Sequence, residues 1–165
     1  MAARVLVAYA SKLGSTAEIA ESIASTLRTA GLNAIARPVR EIRDLRDYDA
    51  VILGSALYAA HWQRDANRFV NRNRSALLER PLWLFTSGPL DRKLAAANLP
   101  LSPNASEITE GLAPRGHRTF GGRLMADAPG VDPQILATHP IGDFRDWNVI
   151  TDWAAGIAVE LLEAG

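Results

Sequence analysis

Ser11-Lys12-Leu13-Gly14-Ser15-Thr16 gathers three hydroxyls, one ammonium and one glycine between an apolar run and a helical pattern. At a helix start the unpaired N–H groups and the helix dipole favour an anion, and a glycine lets the backbone approach it closely. Such a nest of amides binds phosphate with or without the charge of Lys12. An ordinary N-cap uses the same residue types; the place of the loop, directly after the first strand, favours anion binding. A second cluster, Gly54-Ser55-Ala56-Leu57-Tyr58-Ala59-Ala60-His61-Trp62, sets small residues before aromatic ones. A flat ring can lie against Ser55, Ala56 and Leu57 with Tyr58 or Trp62 at its face or edge. Trp62 reads equally well as packing at the start of its helix, and His61 as a surface residue. In a third cluster, Thr86-Ser87-Gly88-Pro89-Leu90, strand-end donors can meet the polar edge of the same ring, or form a simple Gly-Pro turn. The lysine of the first loop precedes its glycine, so a P-loop is excluded. Its single glycine excludes the G-x-G-x-x-G dinucleotide fingerprint.

These loops need elements to hold them. Arg4–Ala10 is a near-continuous apolar run, as expected of a strand buried on both faces. Ile19, Ile23 and Leu27 then recur at helical spacing up to Gly31. Strands are predicted at 32–39, 50–55, 81–87 and 117–124, the last interrupted by Gly121-Gly122. Helices are predicted at 62–78 and, more briefly, near 94–97 and 105–112. Asp146 N-caps a last helix whose stripe is Ile150, Trp153, Ile157 and Leu161. Residues 126–142 read as an irregular segment. Strands alternating with helices imply an α/β fold with a five-stranded parallel sheet, order 2-1-3-4-5, and helices on both faces. Ligands of such sheets bind beyond the strands' carboxyl ends, where the winding reverses. The loops after strands one, three and four meet there.

The bulk composition agrees. A chain of 165 residues, 48% hydrophobic and 22% charged, suits one domain spanning 1–165. Eighteen basic and eighteen acidic residues leave a formal charge of +0, which gives no global field for nucleic acid. Cysteine is absent, which excludes disulfides, thiolate catalysis and Cys-ligated metals, and His117 and His139 show no metal-ligand spacing. The start of the chain lacks a signal-peptide pattern and no stretch is apolar enough to span a membrane, so a cytoplasmic protein is expected.

Together the three loops resemble the flavodoxin family, whose phosphate loop is commonly written [ST]-x-T-G-x-T; Leu13 stands where that family often has threonine. The resemblance implies FMN, its phosphate on residues 11–16 and its ring between Ser55–Tyr58 with Trp62 and Thr86–Pro89. Within that superfamily the chain is most similar to menaquinone-dependent protoporphyrinogen oxidase-like proteins, through Ala60-His61-Trp62, Lys12, the 88–105 segment, Gly121-Gly122-Arg123-Leu124 and Gly142–Trp147. That likeness implies an FMN-dependent oxidoreductase passing electrons from an organic, porphyrinogen-like substrate to a quinone-type acceptor, with Trp62 and the inserted segment as an apolar platform and Arg92 and Lys93 meeting propionates. No catalytic side chain is needed, since the flavin carries the chemistry. The alternative is a flavodoxin-type electron carrier docking on redox proteins. A phospho-acceptor receiver domain shares the topology, but Tyr9-Ala10-Ser11 and Gly54-Ser55 stand where its acidic residues belong.

Overall fold

The computed structural model describes residues 2–12, 14–58, 61–127 and 131–164. Five parallel strands form its centre: β1 (Arg4–Ala10), β2 (Asn33–Pro38), β3 (Ala50–Tyr58), β5 (Leu82–Ser87) and β6 (Gly116–Phe120). Their order is β2-β1-β3-β5-β6. In order of appearance among the parallel strands this is 2-1-3-4-5, as expected. A two-residue strand, β4 (His61–Trp62), turns back antiparallel on the end of β3, pairing Leu57 with Trp62 and Tyr58 with His61.

One face carries α1 (Ser15–Thr29) and α6 (Trp147–Ala164) over Val5, Val7, Ile52, Trp83 and Phe85. The other carries α2 (Arg64–Leu78) and α4 (Pro103–Ile108) over Leu6, Ala8, Val51, Leu53 and Leu84. Alternate strand residues enter opposite cores, which is why Val5–Ala8 and Ala50–Leu53 are continuously apolar. Gly54 on β3 has its own reason: a Cβ there would lie 2.0 Å from Cζ of Phe85 on the neighbouring strand. The small residue makes room for a core ring. It does not open the sheet to a ligand.

Several boundaries differ from the sequence reading. The helix expected from Trp62 begins at Arg64, because Trp62 is held in the β3–β4 hairpin. The fifth strand ends at Phe120; beyond the glycines, β7 (Arg123–Leu124) pairs antiparallel with β8 (Gly142–Asp143) in a separate ribbon. The reason is backbone contact: a Cβ on Gly121 would lie 2.0 Å from the Phe144 carbonyl oxygen. The segment expected to be irregular contains α5 (Pro133–Thr138), started by Pro133 with Asp132 accepting the Gln134 amide. Inside 88–105 lies α3 (Arg92–Ala96), N-capped by Asp91. Asn98 follows it in a left-handed conformation and accepts from the Thr119 amide of β6, while the Thr119 hydroxyl donates to the Leu99 carbonyl. The insertion is thereby fastened along the open edge of the sheet, which blunts it. No helix of the described residues is long and apolar enough to cross a membrane.

Candidate functional site

The carboxyl ends of the parallel strands converge on the turn between β1 and α1. Gly14 is the N-cap of α1 at φ 85°, and no side chain caps the helix. The first-turn amides of Ser15, Thr16 and Ala17 therefore lack the side-chain acceptor that an N-cap normally supplies. Ser11 Oγ accepts from the Gly14 amide at 3.1 Å, which braces the turn and leaves the Ser11 proton for donation outward. Ser15 is buried and Thr16 completely so. The Thr16 hydroxyl donates to Ser87 Oγ at the end of β5, 3.3 Å away, so Thr16 offers the turn its amide rather than its hydroxyl. Leu13 lies outside the described residues.

The second loop reaches this turn through one side chain. Tyr58 is 47% exposed, and the Lys12 ammonium sits 4.9 Å from its ring centroid. A cation and a half-exposed aromatic ring thus meet beside the turn, residue types suited to a ligand with a phosphate and a flat ring. Ala56 and Leu57 are half-buried beside them. Ala59 and Ala60 lie outside the described residues.

Other predicted ligand contacts are turned inward. Ser55 Oγ accepts from the Gln63 amide and donates to the Ala56 carbonyl, so it closes the hairpin. Trp62 is 4% exposed, with its indole N–H donating to Thr86 Oγ1 at 3.0 Å. Trp62 thus packs into the core with its polar edge on β5. Thr86 in turn lies 3.1 Å from Nε2 of His117 on β6. Burial pushes the His117 imidazole down to about 4, so it is neutral near pH 7. In the third loop the Gly88 amide donates to the Phe120 carbonyl, and the Pro89 carbonyl accepts from Gly122. The strand-end donors expected of Gly88 are therefore engaged with the end of β6.

The structure adds residues that the sequence reading did not select. Arg145, just before α6, has a side chain only 3% exposed. Its Nε and Nη2 bind the two Asp143 carboxylate oxygens at 2.9 and 2.7 Å. Its Nη1 donates to the Ser15 carbonyl at 3.3 Å and lies 3.7 Å from Glu18. Glu18 also pairs with Arg123 at 2.9 Å, and the Arg145 guanidinium stacks 4.6 Å over Trp147. The hydrogen bonds from Arg145 hold the Asp143 carboxyl below its usual range. This ionic cluster ties the first turn of α1 to the β7–β8 ribbon. The only sequence signal was Gly142–Trp147, noted for its family likeness; nothing local joins residue 145 to residue 15.

No curated protein matches this sequence. Solved structures do, at low identity. An archaeal flavodoxin superposes with a TM-score of 0.60 at 13% identity, covering 96% of this chain and 98% of its own. A flavodoxin from Streptococcus pneumoniae TIGR4 gives 0.59 at 14%, covering 99% and 100%. Rubredoxin oxygen:oxidoreductase from Desulfovibrio gigas gives 0.67 at 15%; 97% of this chain is covered, which spans only 36% of that protein. At these identities the likeness is one of fold. The sequence itself matches the family model of the flavodoxin domain over residues 6–128, from β1 through the β7–β8 ribbon's first strand. A braced, uncapped helix start at the winding reversal of a 2-1-3-4-5 sheet, read with that match, makes the chain a member of the flavodoxin-domain family, whose cofactor is FMN.

Proposed function

We propose that this chain is an FMN redox protein that exchanges electrons with a partner protein. The observation that carries the reading is the uncapped first turn of α1 beside the Lys12–Tyr58 pair. Those residues fit the cofactor: the amides of Gly14–Ala17, the Ser11 and Ser15 hydroxyls and Lys12 would hold its phosphate, and Tyr58, Ala56, Leu57 and the turn at Gly88-Pro89 would border its ring. Bound there, FMN supplies the one- and two-electron chemistry. Trp62, Ser55 and Thr86 support the site from behind, and Thr16 and Ser87 join its two walls. The absence of cysteine fits a reducing compartment such as the cytoplasm.

A second reading is a quinone-linked oxidation of a porphyrinogen-like substrate. The exposed α3, with Leu94 49% exposed beside Arg92 and Lys93, favours it, as an apolar and basic strip next to the third loop. The buried Trp62 removes half of the platform that this reading requires. The test is titration of the purified chain with FMN, followed by stopped-flow oxidation of the reduced holoprotein by a redox protein and by a soluble menaquinone analogue. Faster reaction with the redox protein supports the first reading. Faster reaction with the quinone, lost on deleting 92–97, supports the second. A chain that ignores added FMN removes both.

A further inference from the structure

The helices over the two faces of the sheet differ in charge, although the chain as a whole is neutral. Over one face, α2 holds four arginines against Asp65 alone, and the connection 37–49 beside it holds Arg37, Arg40, Arg43 and Arg46 against Glu41, Asp44, Asp47 and Asp49. Over the other, α1 holds Glu18 and Glu21 against Arg28, and α6 holds Asp152, Glu160 and Glu163 with no lysine or arginine. On the basic side, Arg40 meets Asp65 at 3.7 Å with 73% of its side chain exposed. Arg72 donates to the Ile42 carbonyl at 3.1 Å, which joins α2 to the turn after β2. Arg64, Arg68 and Arg72 follow one another at i, i+4 and i+8, so they share an exposed arc beside Arg40 and Arg43. No described carboxylate lies within ion-pair distance of Arg43, Arg64 or Arg68. One end of the arc, Arg40 and Arg64, lies near the sheet end that carries the candidate site, and Arg68 and Arg72 continue it down α2. Residues 37–43 leave the carboxyl end of β2, and Arg64 follows directly on the hairpin that carries Tyr58.

We propose that this arginine face, Arg40 and Arg43 with Arg64, Arg68 and Arg72, is the docking surface for an acidic electron-transfer protein. This rests on the redox reading above and names the chemistry of its partner. A patch of one sign beside a redox centre raises encounter rates and fixes orientation, and guanidinium groups match carboxylates in two-pronged geometry. The residue types select a protein over a lipid surface. Both lysines of the chain, Lys12 and Lys93, lie elsewhere, and no large apolar side chain is exposed within 37–43 or 64–74 to enter a bilayer.

The probe is rubredoxin, a small acidic redox protein, in two forms. Its redox-inert zinc form is titrated into the isotope-labelled chain and followed by backbone NMR shifts, which needs no bound flavin. Its iron form is reduced by the FMN-loaded chain in a stopped-flow instrument at low and high salt. We expect shifts centred on 37–43 and 64–72 that vanish at high salt. We expect the triple variant R43E/R64E/R68E to react at least tenfold more slowly at low salt, with unchanged FMN affinity. Shifts on α1 and α6, no shifts, or an unchanged rate in the variant would overturn the proposal. So would salt-sensitive self-association through the acidic face, or binding to phosphatidylserine vesicles but not to rubredoxin. Normal docking shifts in a chain that fails to take up FMN would uphold the surface and overturn the cofactor reading instead.

Discussion

Replacing Arg145 with methionine tests how the first turn of α1 is held. The guanidinium is 3% exposed and makes contacts of 2.7 and 2.9 Å to Asp143 and 3.3 Å to the Ser15 carbonyl. Breaking a fully buried ion pair costs about 3–5 kcal/mol, because the abandoned charge stays dry. Here the partners are half open: Asp143 is 41% and Glu18 50% exposed, so both regain water. The loss is then closer to that of charge-assisted hydrogen bonds, about 1.5–3 kcal/mol, and methionine keeps an apolar stem against Trp147. The expected destabilisation of Arg145→Met is about 2 kcal/mol at pH 7, read by urea unfolding with far-UV circular dichroism. The pH dependence carries a definite sign. Arg145 lowers the folded pKa of Asp143, so the pair contributes fully above the ordinary aspartate range and is lost as pH falls through the folded value. The gap between wild type and variant should shrink as pH drops from about 5 towards 2. FMN affinity should fall several-fold while riboflavin affinity holds, because only FMN uses the phosphate turn. Equal stability at pH 7, a gap independent of pH, or equal losses for both ligands would refute the reasoning.

Other perturbations separate packing from ligand binding. Gly54→Ala drives a Cβ into the fully buried Phe85 ring, which itself packs 6.0 Å from Phe120; a loss of about 3 kcal/mol is expected, measured as a drop in urea midpoint. Gly14→Ala meets no atom within 4 Å but forces φ 85° on a residue with a side chain; about 1–2 kcal/mol of stability should go, with a larger relative loss of FMN than of riboflavin in fluorescence titration. His117 binds fewer protons folded than unfolded, so stability is full above about pH 6.5 and declines as pH falls towards about 4; His117→Gln should flatten that part of the unfolding profile. Trp62→Phe removes the indole donor to Thr86 and should cost about 1–3 kcal/mol in chemical unfolding, with little effect on FMN affinity.

The sequence by itself determined what depends on neighbours along the chain. The apolar runs of β1 and β3, the Ile19–Ile23–Leu27 stripe and the glycine before α1 state their roles locally, because strand burial, helix period and an uncapped helix start involve residues a few positions apart. From these the parallel order followed, and with it the sheet end at which a ligand is expected. Tertiary structure alone decided which side chains face that site. For Trp62 the sequence left ring contact and packing equally open; the hairpin turns it inward onto Thr86, because a buried indole needs an acceptor and β5 supplies one. Arg145 carried no local signal, since its partner at Ser15 is 130 residues away. The neutral total also concealed a basic α2 and an acidic α6, which come to lie on opposite sides of the sheet only in the folded chain.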